Sequence, residues 1–189
     1  MKSSITYAEA HELWNKYITT PHLRVHMLQS EAVMRKLAKH FNADADFWGI
    51  AGLLHDLDLD RLGLDYTYHG YTTVEILREE GYEIPELFDA IVAHTEGVTN
   101  AKRKTDFDII LAAAENITGI ITAYVLILPD KKVAGVKASS IKKRLKQLRF
   151  AASVNREFIY DIEKAGIQLD DFLTLAIEGI SEIAEEVNM

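Results

Sequence analysis

Phe47-Trp48-Gly49-Ile50-Ala51-Gly52-Leu53-Leu54-His55-Asp56 is an apolar run that stops on an imidazole and a carboxylate. With Asp44 as its N-cap, the run reads as a helix that delivers both polar groups at its C-terminal end, at the edge of a core. A buried carboxylate without a partner costs several kcal/mol, about as much as folding can tolerate at one site, and coordination to a metal is one remedy. Further ligand types stand at domain-scale distances: His26 upstream, then His69, His94 and Glu115 downstream. Neutral imidazole and carboxylate together bind divalent cations, and a cation at such a site makes water a hydrolytic nucleophile.

Outward from this run, the periodicity is helical almost everywhere. Thr6 and Glu9 form a capping box that opens a first helix to about Thr19. Thr20-Pro21 starts a second, to about Phe41, with its apolar stripe through Leu23, Met27, Met34, Leu37 and Phe41. After the His-Asp helix comes an acidic, aromatic loop, Asp58 to Tyr66. A short helix from about Tyr71 to Glu80 is stopped by Gly81, and Pro85 starts another that carries His94 near its end. A long apolar helix spans about Asp106 to Leu128, closed by Pro129. A basic amphipathic helix and two C-terminal helices follow, the last with Leu173, Ile177, Ile180, Ala184 and Val187 opposite Glu178, Glu182, Glu185 and Glu186. No strand, repeat or linker is evident. The expected fold is all-α, one domain over residues 1–189, of about eight or nine helices.

Composition narrows the chemistry. With no cysteine in 189 residues, any metal falls to His and carboxylate, and a reducing, cytoplasmic setting is compatible. The segment Ile109 to Leu128 is long enough to span a bilayer, but Glu115, Asn116, Thr118 and Thr122 interrupt it. A helix buried on all sides within the fold is the expectation, with no membrane partner. The net charge of −8 argues against general nucleic-acid binding. Its spread is uneven: residues 131–149 hold eight Lys or Arg and no acid, leaving the remainder at −16. Ile141, Leu145 and Leu148 form one stripe of that segment, and its charges suit either a solvated face or a phosphate-attracting rim.

Glu115, the one charge between Ile109 and Leu128, is explained by a metal, a salt bridge or a neutral hydrogen-bonded form. Asn116 beside it suits a helix–helix hydrogen bond. His22 and His26, four residues apart, form a competing pair that lacks a carboxylate in sequence. His11 and His40 read as plain surface positions.

The order His26, His55-Asp56, His69, His94, acidic 115 resembles the HD superfamily of metal-dependent phosphohydrolases, and the local text its HDIG-type branch. Leu53-Leu54-His55-Asp56-Leu57-Asp58 resembles that branch's central segment, and His26-Met27-Leu28 with Glu31-Ala32 its first-histidine helix. Ala113 to Gly119, Leu128 to Lys132, and Ser140 to Arg156 are similar to its later parts. The likeness spans roughly residues 7–160, with the helices of 154–189 expected to lie against that core. It implies a helical HD fold in which His26, His55, Asp56 and Glu115 hold one metal and His69 and His94 serve a second, Asp56 bridging. One or two divalent ions (Mn, Fe, Mg, Ni or Zn) are therefore expected. The family's last ligand is Asp; Glu115 departs from it by one methylene, against metal–oxygen distances held to about 2.0–2.2 Å.

The reaction implied is hydrolysis of a small phosphorylated metabolite or nucleotide. Asp58 or Asp60 would orient or deprotonate water, His69 and His94 would take the second metal or contact phosphate, and Lys131, Lys132 and Lys137 would stabilise charge. The competing expectations are a metal-binding HD module without turnover, acting as sensor or scaffold, and a nucleic-acid-associated protein using the basic helix. No Ser or Cys nucleophile with its base is evident.

Overall fold

The computed structural model describes residues 1–189 as ten α-helices and two 3-10 turns, with no strand. α1 (Tyr7–Tyr17) opens on the expected capping box, Thr6 with Glu9. α2 (Pro21–Phe41) is the central rod, lying against α3 (Ala45–Leu54), α10 (Leu169–Glu182) and α7 (Asp106–Leu126). Asp44 caps α3 by accepting from the backbone N–H groups of Asp46 and Phe47. α4 (Leu59–Leu62) is a single turn inside the stretch expected as a loop, which is why the helix count exceeds nine. The 3-10 turn Tyr66–Tyr68, α5 (Tyr71–Glu79), and α6 (Pro85–Ala93) complete the first half. α8 (Ala138–Leu145), α9 (Arg156–Tyr160) and the turn Asp161–Ala165 lead to α10.

One core of 47 buried residues draws on every α-helix except α4, so the chain forms one domain. α7 has the length and hydropathy of a membrane span, yet 56% of that window is enclosed by the rest of the protein. Its buried residues fall on nearly all sides, as expected of a central helix.

Several local expectations are corrected. α1 ends at Tyr17 and α7 at Leu126, each two residues early. Leu148 is 75% exposed and leaves the stripe of Ile141 and Leu145, because α8 stops at Leu145. The stop has a physical cause: the Arg156 guanidinium collects the carbonyls of Leu145, Gln147, Phe150, Ala151 and Val154, which a continuing helix would need for itself. Thr20 occupies the N-cap of α2 but its side chain caps nothing; Asp60 does that work from α4, accepting from the N–H groups of Thr19 at 2.5 Å and Thr20 at 3.0 Å. His11 is not a plain surface residue: its Nε2 lies 3.1 Å from Glu31 Oε2.

Candidate metal centre

Five elements send their polar groups to one point. His55 and His94 are the C-caps of α3 and α6. There the last turn has unpaired carbonyls, and each imidazole uses one: His55 Nδ1–H donates to Gly52 O at 2.8 Å, and His94 Nδ1–H to Ile91 O. That bond fixes the tautomer and turns a bare Nε2 inward. His69 caps the 3-10 turn, and its Nδ1–H donates to Asp58 Oδ1 at 2.9 Å. His26, midway along α2, donates Nδ1–H to Thr118 Oγ1 at 2.9 Å, since the Thr118 hydroxyl proton is already given to Glu115 O at 2.7 Å.

The four Nε2 atoms meet around Asp56. His26 and His55 lie 3.4 and 3.3 Å from Oδ2; His69 and His94 lie 3.3 and 3.4 Å from Oδ1. His26 and His55 are 3.1 Å apart at Nε2, and His69 and His94 3.2 Å. Glu115 Oε2 stands 3.9 Å from His26 Nε2, while Asn116 Nδ2 holds its Oε1. Two three-residue groups have the proximity for an ion: His26, His55 and Glu115, and His55, Asp56 and His94.

With every Nδ1 proton committed outward, each imidazole in its neutral form presents an acceptor inward. Lone pairs of two imidazoles 3.1 Å apart repel unless a proton or a metal lies between them. The spacing suits a metal: donors at about 2.1 Å from one ion sit roughly 3.0 Å apart in octahedral and 3.4 Å in tetrahedral geometry. Asp56 turns one carboxylate oxygen toward each histidine pair. The donor set is imidazole and carboxylate without thiolate, which suits a divalent ion.

Held by protons alone, the cluster is electrostatically uneven. Burial works against the Asp56 carboxylate, but the His55 charge and hydrogen bonds from His26, His55 and His69 outweigh it and hold its pKa well below the usual range. Burial pushes His94 down to about 4, so it is neutral at physiological pH, as a ligand must be. His69 is likewise disfavoured by burial, yet its bonds to Asp56 and Asp58 raise it to about 10. Glu115 is pushed up to about 8, chiefly by burial, with Asp56 adding to the effect. Such opposed shifts within one cluster mark a functional site.

This fold and this donor set have a counterpart among known families: residues 24–120, just over half of the chain, match the family model of the HD domain. The chain belongs to the HD-domain family. No curated protein and no solved structure matches it. HD domains form a superfamily of metal-dependent phosphohydrolases, and in this HD domain the matched span contains His26, His55, Asp56, His69, His94 and Glu115.

The other expected residues are placed elsewhere. Asp58 is fully buried, its Oδ1 accepting from His69 and its Oδ2 from Gly70 N–H at 2.7 Å, so it orients His69 and has no face for water. Asp60 is occupied at the start of α2 and takes no part in the cluster. Lys131, Lys132 and Lys137 are exposed on the loop after α7. The end of that helix is 11 residues beyond Glu115, about 16 Å along the axis. His22 and His40 are exposed and outside both groups.

Two supporting residues, Thr118 and Gly52, escaped the sequence reading, whereas Asn116 makes a bond between elements of the kind expected of it. Thr118 orients His26. Asn116 ties Glu115 to Ala112 O at 3.0 Å and, through its Oδ1, to Asn155 N–H at 2.9 Å. Gly52 lets α3 touch α2: a Cβ there would lie 2.5 Å from Ser30 O. The only available signal was a hydroxyl three residues after Glu115 on an apolar helix, which hydropathy treats as a mere interruption.

Proposed function

We propose that this HD domain is an HDIG-type divalent-metal-dependent phosphohydrolase acting on a small phosphorylated metabolite or nucleotide. The observation that carries the reading is the convergence of four Nε2 atoms and two carboxyl groups on one point, with every Nδ1 paired to an acceptor outside it. A divalent ion bound there supplies Lewis acidity, making water nucleophilic near neutral pH and drawing charge from phosphoryl oxygen. His26, His55, Asp56 and Glu115 would hold one ion, and His69 and His94 a second ion or the phosphate. Asp58 and Thr118 keep the imidazoles in the ligating tautomer. The net reaction is hydrolysis of a P–O bond, water giving its oxygen to phosphorus and a proton to the departing oxygen.

Elemental mass spectrometry of the purified protein, paired with phosphate release from a panel of phosphorylated metabolites, tests this. Metal and turnover present in the wild type and lost together in Asp56→Ala are expected. An Asp56→Ala protein that keeps both would overturn the assignment.

A second reading, a metal-binding module without turnover, is favoured by one observation: Glu115 stands at 3.9 Å from His26, beyond the 3.3–3.4 Å contacts of Asp56. Full metal occupancy with no phosphate released from nucleotides, sugar phosphates or phosphodiesters would decide for it. Nucleic acid enters neither reading. Lys142 is neutralised by Asp170 at 2.8 Å, and Arg144 lies over the rings of Tyr124 and Phe150.

A further inference from the structure

We propose that the groove between α2 and α7 beside the metal centre receives the organic group of the substrate, and that this group is uncharged, largely apolar and carries a hydrogen-bond acceptor. The word substrate rests on the hydrolase reading above; the binding itself does not depend on turnover.

The groove has a volume of about 580 Å³, the size of a small-molecule site. It starts at His26 and Thr118, so one cluster imidazole and the hydroxyl that orients it are part of its wall. This is also the open side of the cluster. The His26 and Glu115 side chains are 24% and 16% exposed, whereas His55, Asp56 and His94 are at 0%, 8% and 5%. A phosphate reaching the ions from here leaves its organic group over the groove.

The lining states what that group is. Val25 from α2, Ala123 and Leu126 from α7, Val154 from the loop before α9, and Met189 supply apolar surface. No Asp, Glu, Lys or Arg lines the groove, although 26% of the chain is charged. A charged group would lose its hydration against the apolar walls with no Asp, Glu, Lys or Arg to replace it, and the further polar lining of His22, Ser153 and Asn188 is exposed to solvent. Two buried polar side chains are the exceptions, and one of them, Thr118, is already committed to His26 and Glu115 O. Gln29, 1% exposed, lines the groove. Its Oε1 accepts from the Thr122 hydroxyl at 2.9 Å, but its amide nitrogen has only the Met189 thioether at 2.8 Å. Sulfur is a weak acceptor, so a carbonyl or ring nitrogen on the ligand is the better partner for Gln29.

The test uses phosphonates, whose C–P bond resists hydrolysis, added to the zinc-loaded full chain and followed by nuclear magnetic resonance. 4-Acetylphenylphosphonate is expected to bind at least tenfold more tightly than methylphosphonate and to shift the amide resonances of Gly119, Thr122 and Ala123. Ala123→Trp, which fills the groove, and Leu126→Lys, at an already exposed position, should each erase that preference; Gln29→Leu should remove the gain due to the acetyl oxygen. Equal affinity for the two phosphonates overturns the proposal. So do unshifted groove resonances, or groove shifts that appear with protein concentration alone and reveal a second copy there. Selective binding without phosphate release from any ester would sink the hydrolase reading and leave the groove assignment standing. Release from aryl and methyl esters alike, indifferent to Ala123→Trp, would do the reverse.

Discussion

Thr118 decides which nitrogen of His26 is basic. Its proton goes to Glu115 O, its lone pair takes the Nδ1–H, and Nε2 is left bare toward Asp56. Thr118→Val keeps shape but removes the acceptor. The tautomer is then free, and metal affinity should fall about 10–100-fold, as is usual for a lost supporting bond. Stability should fall by only about 1 kcal/mol. Competition with a chelating dye reads the first quantity and urea unfolding the second. A variant with wild-type affinity would show that Thr118 merely fills space. Asp58→Asn makes the same argument at His69, because the amide can present N–H where Nδ1–H needs an acceptor. An affinity loss there with Gly70 still bonded would separate orientation from loop integrity.

At the scale of elements, the cluster exists because α2 and α3 touch at Gly52. A Cβ there would meet Ser30 O at 2.5 Å and Ser30 C at 2.7 Å, both backbone, so the helices must part. Gly52→Ala should therefore cost about 1–3 kcal/mol as an overpacked contact and weaken metal binding by moving His55 from His26. Gly49→Ala is the control on the same helix: its Cβ meets only the Arg35 side chain, at 2.7 Å, which can swing away. Urea unfolding and metal titration of both variants should separate them; equal effects would discount the close approach. A second link between elements is electrostatic. Arg103, before α7, pairs with Glu96 at 2.8 Å and with Asp161 at 2.9 Å while lying over Phe158. Hydrogen bonds from Arg103 and Lys102 bring Glu96 down from 4.5 to about 2. A carboxylate depressed by folding stabilises the fold fully above its unfolded value, here 4.5, and that contribution fades as pH falls toward 2. The wild type should thus lose more stability than Glu96→Gln across that interval in urea unfolding at stepped pH. Parallel curves would show the pair to be inert.

For the whole molecule, what was legible in the sequence is what is local. Caps such as Thr6–Glu9 and Asp44, and the apolar period of α2 and α7, act within a few residues and so appear in the text. The His26–Thr118 bond joins residues 92 apart, and the capping of α2 by Asp60 crosses 40, so neither has a sequence signature. The break before Leu148 comes from Arg156, eight residues on and beyond the reach of helical periodicity. The same long-range character makes the metal centre a stability element. Its ligands come from α2, α6, α7, the end of α3 and the turn before α5, so a cation there binds only the folded arrangement. Ligand linkage at a free metal concentration 100 times Kd adds about 2.7 kcal/mol. For a chain of this length that raises the thermal midpoint by roughly 5–11 °C. Scanning calorimetry with metal in excess and with chelator should show that gap in the wild type and close it in Asp56→Ala, where the carboxylate facing both histidine pairs is gone. A midpoint indifferent to metal in the wild type would mean that protons, not a cation, neutralise the four imidazoles and two carboxylates, and the hydrolytic assignment would fall with the site.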